Sequence, residues 1–129
     1  MSADRMWIGT HSTEGQQAIA RRLSAFNDPQ NGLEVRVVKA NIIRDSLPSD
    51  LTKVTLANID VDMYEAVQAA LYKIAPLVIK NGIMIVEDAG HTPALIGARI
   101  ALDRFLKSAE GAAFSVSYTH LTLPTILRV

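Results

Sequence analysis

Two apolar runs that end in acidic residues, with one amphipathic stretch between them, constrain most strongly what this chain can fold into. The first run, VTLANID, covers residues 54–60 and is nearly continuous in apolar content, as in a strand buried on both faces. The second run, IMIVED, covers residues 83–88 and ends in two carboxylates. Strands that alternate with helices predict an α/β fold, with a parallel sheet and helices on its faces.

The acids at the ends of these runs predict a functional edge of the sheet. Ligands bind to parallel sheets beyond the carboxyl ends of the strands, so on neighbouring strands Asp60, Glu87 and Asp88 would converge. A cation among clustered carboxylates relieves their mutual repulsion. Hard oxygen ligands suit Mg²⁺ first, and Mn²⁺ or Ca²⁺ also fit. The alternative is structural, because such acids often cap helices, and Asp62 is placed to cap a helix that starts near Tyr64.

Helical periodicity marks three segments, one of which is the amphipathic stretch between the two apolar runs. A helix is predicted to begin near HSTEGQQ, where Thr13 and Gln16 fit a capping box. A second is predicted from about Tyr64, and the third is ALIGARIALDRFLK. The inward faces of the last two helices are predicted to carry Val67, Leu71 and Ile74, and Leu95, Leu102 and Phe105, respectively.

The segments between these helices carry strand and turn signals. LEVRVVKANII, residues 33–43, alternates at first and predicts another strand. KNG, residues 80–82, predicts a turn before the IMIVED strand. Lys53, Lys80 and Arg99 are interpreted as solvated surface residues.

Composition excludes several classes of protein. The 129 residues carry 13 basic and 13 acidic side chains without a basic run, which argues against nucleic-acid or membrane-surface binding. There is no cysteine, which excludes a disulfide framework and a thiolate nucleophile. No apolar stretch reaches the length of a membrane span, and the first residues lack the plan of a signal peptide. We therefore expect a cytoplasmic protein.

The block IDVDMYEAVQAALYKIAPLVIKNGIMIVEDAG, followed by GARIALDRFL, resembles the macrocin O-methyltransferase family of class I S-adenosylmethionine-dependent methyltransferases. That family typically has an acid-x-acid motif, leucine or methionine, tyrosine and glutamate after one strand, then a glycine turn, an apolar strand and a paired acid. KANIIRDSLP and WIGTHSTEGQQAI resemble the segments upstream of this block. The resemblance covers roughly residues 5–107 and implies a doubly wound, Rossmann-like sheet.

The resemblance implies that Asp60, Glu87 and Asp88 match metal-ligand positions, with Glu87 where the family usually has aspartate. Asp62 matches the second acid of the motif and, with His91 beyond the second cluster, is a catalytic candidate. His91 could alternatively be a fourth ligand or a solvated loop residue. The implied cofactors are S-adenosylmethionine and Mg²⁺ or a similar divalent cation, and the implied partner is a small molecule with an acceptor hydroxyl, such as a sugar. The full-length enzyme could be a homo-oligomer.

Two features depart from the family pattern. The donor site of this fold needs a glycine-rich loop after the first strand, but Gly9, Gly15 and Gly32 are isolated, so no residue is assigned to the donor. We interpret residues 1–115 as the carboxyl-terminal part of a methyltransferase domain without its cofactor-binding half, truncated at both ends. The segment VSYTHLTLPTILRV, residues 116–129, resembles a translated sequencing adapter, although a native β-rich tail is the alternative.

These observations predict a fragment of a metal-dependent O-methyltransferase, and we expect the isolated fragment to be inactive. We also expect it to be unstable alone, because missing strands would leave edges and apolar faces uncovered. One alternative is a Mg²⁺-dependent phosphoryl-transfer or hydrolase domain, although neither a nucleophilic aspartate nor a phosphate-binding loop is evident. The other is a non-catalytic α/β interaction domain whose acids only cap helices.

Overall fold

The computed structural model describes residues 15–87, 89–90 and 96–117. They form helices α1 (Gln16–Ser24), α2 (Tyr64–Ile74) and α3 (Ile96–Leu106), and strands β1 (Val54–Ile59) and β2 (Val78–Val86). The chain divides into two compact units, Met1–Ala40, which contains α1, and Asn41–Val129, which contains the other four elements. None of the described helices combines the length and the apolar content needed to cross a membrane.

Strands β1 and β2 are parallel neighbours in a two-stranded sheet. They are connected through α2, because parallel strands need a crossover and cannot be joined by a tight hairpin. The register pairs Leu56 with Ile83 and continues without a break to Ile59 and Val86. This α/β arrangement confirms the predicted parallel pairing and is consistent with part of a methyltransferase-like fold.

The start of β2 corrects the prediction of a turn at KNG. Residues 80–82 lie inside β2, where the register shifts between the pair Val54 and Val78 and the pair Leu56 and Ile83. Asn81 has a φ of 66°, a left-handed conformation that asparagine tolerates better than most residues. The turn signal in the sequence therefore coincides with a backbone irregularity, but this irregularity lies within β2 and not before its start.

The core lies on one face of the sheet. Val67 and Leu71 of α2 and Phe105 of α3 are almost fully buried, together with Ile59 of β1, and Met84 and Val86 of β2 pack against this cluster. The predicted inward positions of α2 and α3 are thus confirmed for Val67, Leu71, Leu102 and Phe105, and Ile74 is half-buried, whereas Leu95 lies outside the described residues.

The opposite face of the sheet is uncovered within the described residues. Leu56 is 61% exposed and its register partner Ile83 is 58% exposed. Register partners share one face of the pleat, so both side chains project away from the helices. The expectation that β1 is buried on both faces is therefore wrong, because α2 and α3 cover only one of them.

Residues 15–40 of the first unit are ordered without a strand. Leu33 makes an isolated antiparallel bridge to Asp28, and the predicted strand over residues 33–43 does not form. A strand requires a neighbour for its backbone groups, and β-propensity alone does not supply one. The predicted capping box is also wrong, because Gly15 occupies the N-cap of α1; Thr13 lies outside the described residues.

Candidate functional site

The carboxyl ends of β1 and β2 bring two of the predicted ligands together. Asp60 follows Ile59 and Glu87 follows Val86, and these two apolar residues are register partners. The Glu87 amide donates a hydrogen bond to the Ile59 carbonyl over 2.9 Å, so the pairing extends past both strands. Neighbouring strands lie about 4.8 Å apart. The backbones of Asp60 and Glu87 are therefore side by side at one edge of the sheet.

The accessibility of these two residues fits an ion that arrives from solvent. Asp60 is exposed and Glu87 is half-buried. Asp88 and His91, the third predicted ligand and a catalytic candidate, lie outside the described residues. Among the residues that the structure does describe, no group of three or more His, Cys, Asp or Glu side chains is arranged to hold a metal ion. The ligand set of three carboxylates therefore stays a prediction.

Asp62, the second acid of the loop, has an unusual backbone. Its φ is 56°, and the Met63 amide donates to the Val61 carbonyl over 2.5 Å, which makes a tight turn centred on Asp62. A non-glycine residue in this region stores about 1–3 kcal/mol of strain, and such residues cluster at functional sites. Met63, which makes no side-chain capping bond, occupies the N-cap of α2. The interpretation of Asp62 as the N-cap residue is therefore wrong.

Tyr64, directly after this loop, is held by α3. The Tyr64 hydroxyl accepts a 2.7 Å hydrogen bond from Arg104 and a 2.9 Å bond from Gln68 Nε2. The Arg104 guanidinium also lies 5.3 Å from the centroid of the Tyr64 ring, in cation–π range. At the other end of the contact, a Cβ on Gly97 would lie 3.1 Å from both the Tyr64 Cβ and its backbone nitrogen. Gly97 thus permits the backbone of the α2 start to approach α3 closely.

The interpretation of Arg99 as a solvated surface residue is incomplete, because its side chain is 40% exposed but also bonded. Its Nε lies 3.0 Å from Asp103 Oδ1, one turn further along α3. Its Nη1 lies 3.5 Å from the carbonyl oxygen of Ala89, in the loop that carries the paired acids. Helix α3 therefore contacts the residues that follow two acidic loops, Asp60–Asp62 and Glu87–Asp88.

Sequence reasoning missed these contacts, although part of the signal was present. Tyr64 with Gln68, and Arg99 with Asp103, are four residues apart, which places each pair on one helix face. A glycine within a helix often marks a close approach of another element, as Gly97 does. The contact of Arg104 with Tyr64 spans 40 residues, so no local pattern reveals it.

One comparison with known proteins gives a match. A family model described as macrocin-O-methyltransferase (TylF) matches residues 17–112, well over half of the chain. The matched segment includes both strands and both acidic loops. No curated protein and no solved structure matches the chain.

Proposed function

This chain belongs to the macrocin-O-methyltransferase (TylF) family, and from that premise we propose that it carries the acceptor-activating, metal-binding part of an O-methyl transfer. Membership of a methyltransferase family implies S-adenosylmethionine as the methyl donor. The acceptor is a hydroxyl group of a small molecule, such as a sugar.

One observation supports the metal-binding part above all others. Asp60 and Glu87 follow register partners and so stand side by side at the carboxyl edge of the sheet. Their carboxylates are hard oxygen donors of the kind that Mg²⁺ prefers, so the chemistry of this donor pair fits the ion. Asp88, next in the chain after Glu87, is the proposed third ligand.

The proposed roles follow from these placements. Asp60, Glu87 and Asp88 would hold a divalent cation, which would supply Lewis acidity toward the acceptor hydroxyl. Asp62 and His91 are the candidates to accept the hydroxyl proton. The acceptor oxygen would then form a bond to the methyl carbon of the donor as the bond from that carbon to sulfur breaks. Alignment of the oxygen, carbon and sulfur is the main contribution expected of the protein.

The two alternative functions receive less support. A Mg²⁺-dependent phosphoryl-transfer domain would also place acids at strand ends, but the family match favours methyl transfer. A non-catalytic domain whose acids only cap helices is disfavoured at one tested position, because Met63 and not Asp62 occupies the N-cap of α2.

Titration with Mn²⁺, followed by electron paramagnetic resonance, tests the proposed site on the full chain. Replacing Asp60 with alanine removes one of few oxygen ligands, and we expect the dissociation constant for Mn²⁺ to rise at least about tenfold. Since Asp60 is exposed, this change opens no core cavity, and thermal unfolding should shift little.

Glu110 provides the matched control. It is an exposed acid outside the two acidic loops, so Glu110→Ala makes the same change in net charge. Equal loss of Mn²⁺ binding in both variants would indicate only nonspecific attraction of a cation to negative charge. Unchanged binding in Asp60→Ala would contradict the proposed ligand role.

A further inference from the structure

Helix α3 supplies none of the proposed ligands, yet it contacts the residues that follow both acidic loops. On the first side, Tyr64 begins α2 four residues after Asp60, and its hydroxyl accepts a hydrogen bond from Arg104 of α3. On the second side, Arg99 of α3 reaches the carbonyl of Ala89, two residues after Glu87. Both contacts are made by one helix, which packs against α2.

We propose that α3 is the template that sets the position of both acidic loops, with Tyr64 and Arg99 as the positioning residues. The proposal deepens the proposed function and rests on it where metal affinity is concerned. Neither side chain contacts the reacting groups in this assignment. Tyr64 acts through the backbone of the Asp60–Asp62 loop, and Arg99 acts through the backbone that follows Glu87.

The contacts of Tyr64 fix both ends of its side chain. Gly97 admits the backbone of Tyr64 to within van der Waals contact of α3. The hydroxyl at the far end accepts hydrogen bonds from Arg104 and Gln68, which occupy both of its acceptor positions. Because the bond from Arg104 is charge-assisted, it is stronger than a neutral one. The start of α2, and with it the end of the acid-x-acid loop, is thereby held against α3.

The contacts of Arg99 fix the second loop in a similar way. Asp103 accepts from Arg99 Nε through both carboxylate oxygens, at 3.0 and 3.1 Å, which orients the guanidinium. Arg99 Nη1 is then directed at the carbonyl of Ala89, a residue that is only 5% exposed. On the other side of position 88, the Glu87 amide donates a hydrogen bond to the Ile59 carbonyl. The residues that flank position 88 are therefore both anchored.

Because Arg99 is positively charged, the direction in which its replacement changes the affinity for metal distinguishes an electrostatic effect from a positioning role. A cationic side chain near a cation site weakens metal binding if its effect is only electrostatic, so its neutralisation would tighten binding. Loss of a positioning residue should instead weaken metal binding, because the ligands are then held less precisely. We expect Arg99→Gln to raise the dissociation constant for Mn²⁺ about tenfold, as loss of outer-shell partners commonly does. Lys107→Gln, at an exposed position just after α3, is the charge-matched control and should leave the constant unchanged.

Tyr64→Phe tests the other loop without any change in charge. It keeps the ring and removes only the hydroxyl, and we expect Mn²⁺ to bind about three- to tenfold more weakly. Tighter Mn²⁺ binding in Arg99→Gln, or unchanged binding in both variants, would overturn the positioning roles.

Hydrogen exchange of the metal-free chain, measured by mass spectrometry, decides the proposal independently of metal. Tyr64→Phe should speed amide exchange at residues 60–64, and Arg99→Gln should speed it at residues 87–90, by about tenfold in each case, while the other loop keeps its protection. A merely structural role would instead raise exchange across the whole unit. Uniform or unchanged exchange would refute the positioning roles, whereas failure of the unmodified chain to bind Mn²⁺ would refute the proposed function alone.

Discussion

The unit Asn41–Val129 is built around a buried apolar core, whereas residues 15–40 of the unit Met1–Ala40 are ordered by local polar contacts. In the unit Asn41–Val129, Leu71 and Phe105 are at most 1% exposed and lie on helices that pack together. In residues 15–40, no described side chain is buried, and Asn31 and Val35 donate to the side chains of Asp28 and Asn27, respectively. Apolar burial and local hydrogen bonding thus order the two units by different means.

The largest test of this contrast is the removal of one aromatic ring from each unit. Phe105→Ala deletes a ring that is 1% exposed and packs edge-on against Tyr72, and should lower the free energy of unfolding by about 3–5 kcal/mol. Phe26→Ala, at a position that is 65% exposed, should change it by less than about 0.5 kcal/mol. Urea denaturation followed by circular dichroism measures both, and equal losses would contradict the contrast.

The contrast also explains which parts of the fold could be predicted from sequence. The periodicity of α2 and α3 predicted their buried faces because the two helices pack against each other and α2 also packs against β1. The segment LEVRVV has the same quality of pattern, but it forms no strand, because a pattern does not show whether a partner strand is present.

Some features of the candidate site could also be predicted from the sequence, whereas others could not. The parallel pairing and the acids at one edge followed from alternation of strands and helices, and the structure places Asp60 and Glu87 there. The contacts of Tyr64 and Arg99 with other elements could not be predicted. The Arg104 guanidinium and the Tyr64 hydroxyl are 40 residues apart, and the bond from Arg99 to the Ala89 carbonyl depends on how α3 packs.

A polar contact within the core-bearing unit provides a second, smaller test. Lys73 of α2 donates to the carbonyl oxygens of Ile42 and Asp45 at 2.6 Å, and to that of Ile43 at 3.3 Å. Lys73→Met keeps the aliphatic stem but leaves these acceptors without the ammonium, and should cost about 1–3 kcal/mol of unfolding free energy. Lys80→Met, at an exposed position of β2, is the matched control and should cost less than about 0.5 kcal/mol. Equal effects would show that the three carbonyl contacts contribute nothing.

The uncovered face of the sheet is an exposed apolar surface within the unit that contains the buried core. Ile83→Thr keeps a β-branched side chain at a position that is 58% exposed, so we expect a change of less than about 0.5 kcal/mol in unfolding free energy. Because exposed apolar faces promote association, the variant should also self-associate less in sedimentation velocity. Ile59→Thr, on the covered face of the same sheet, should cost more than about 1 kcal/mol. A large loss of stability in Ile83→Thr would show that this face is covered in solution.

The smallest expected effect lies in the first unit and depends on pH. Hydrogen bonds from the Asn31 side chain, at 2.7 Å, and from its backbone amide, at 3.3 Å, lower the pKa of Asp28 below its ordinary value of 3.8. A carboxyl whose pKa is lowered by folding stabilises the folded state above its unfolded pKa, and this contribution disappears as the pH falls through the folded pKa. The turn at Pro29–Asn31 should therefore loosen as the pH falls below about 3.8, since protonation removes the charge that these donors stabilise. Because the carboxyl lies at the surface, the loss should be confined to local amide protection, which nuclear magnetic resonance can follow at Asn31. Asp28→Asn should abolish the pH dependence, and a turn that keeps its pH dependence in that variant would assign the titration to another group.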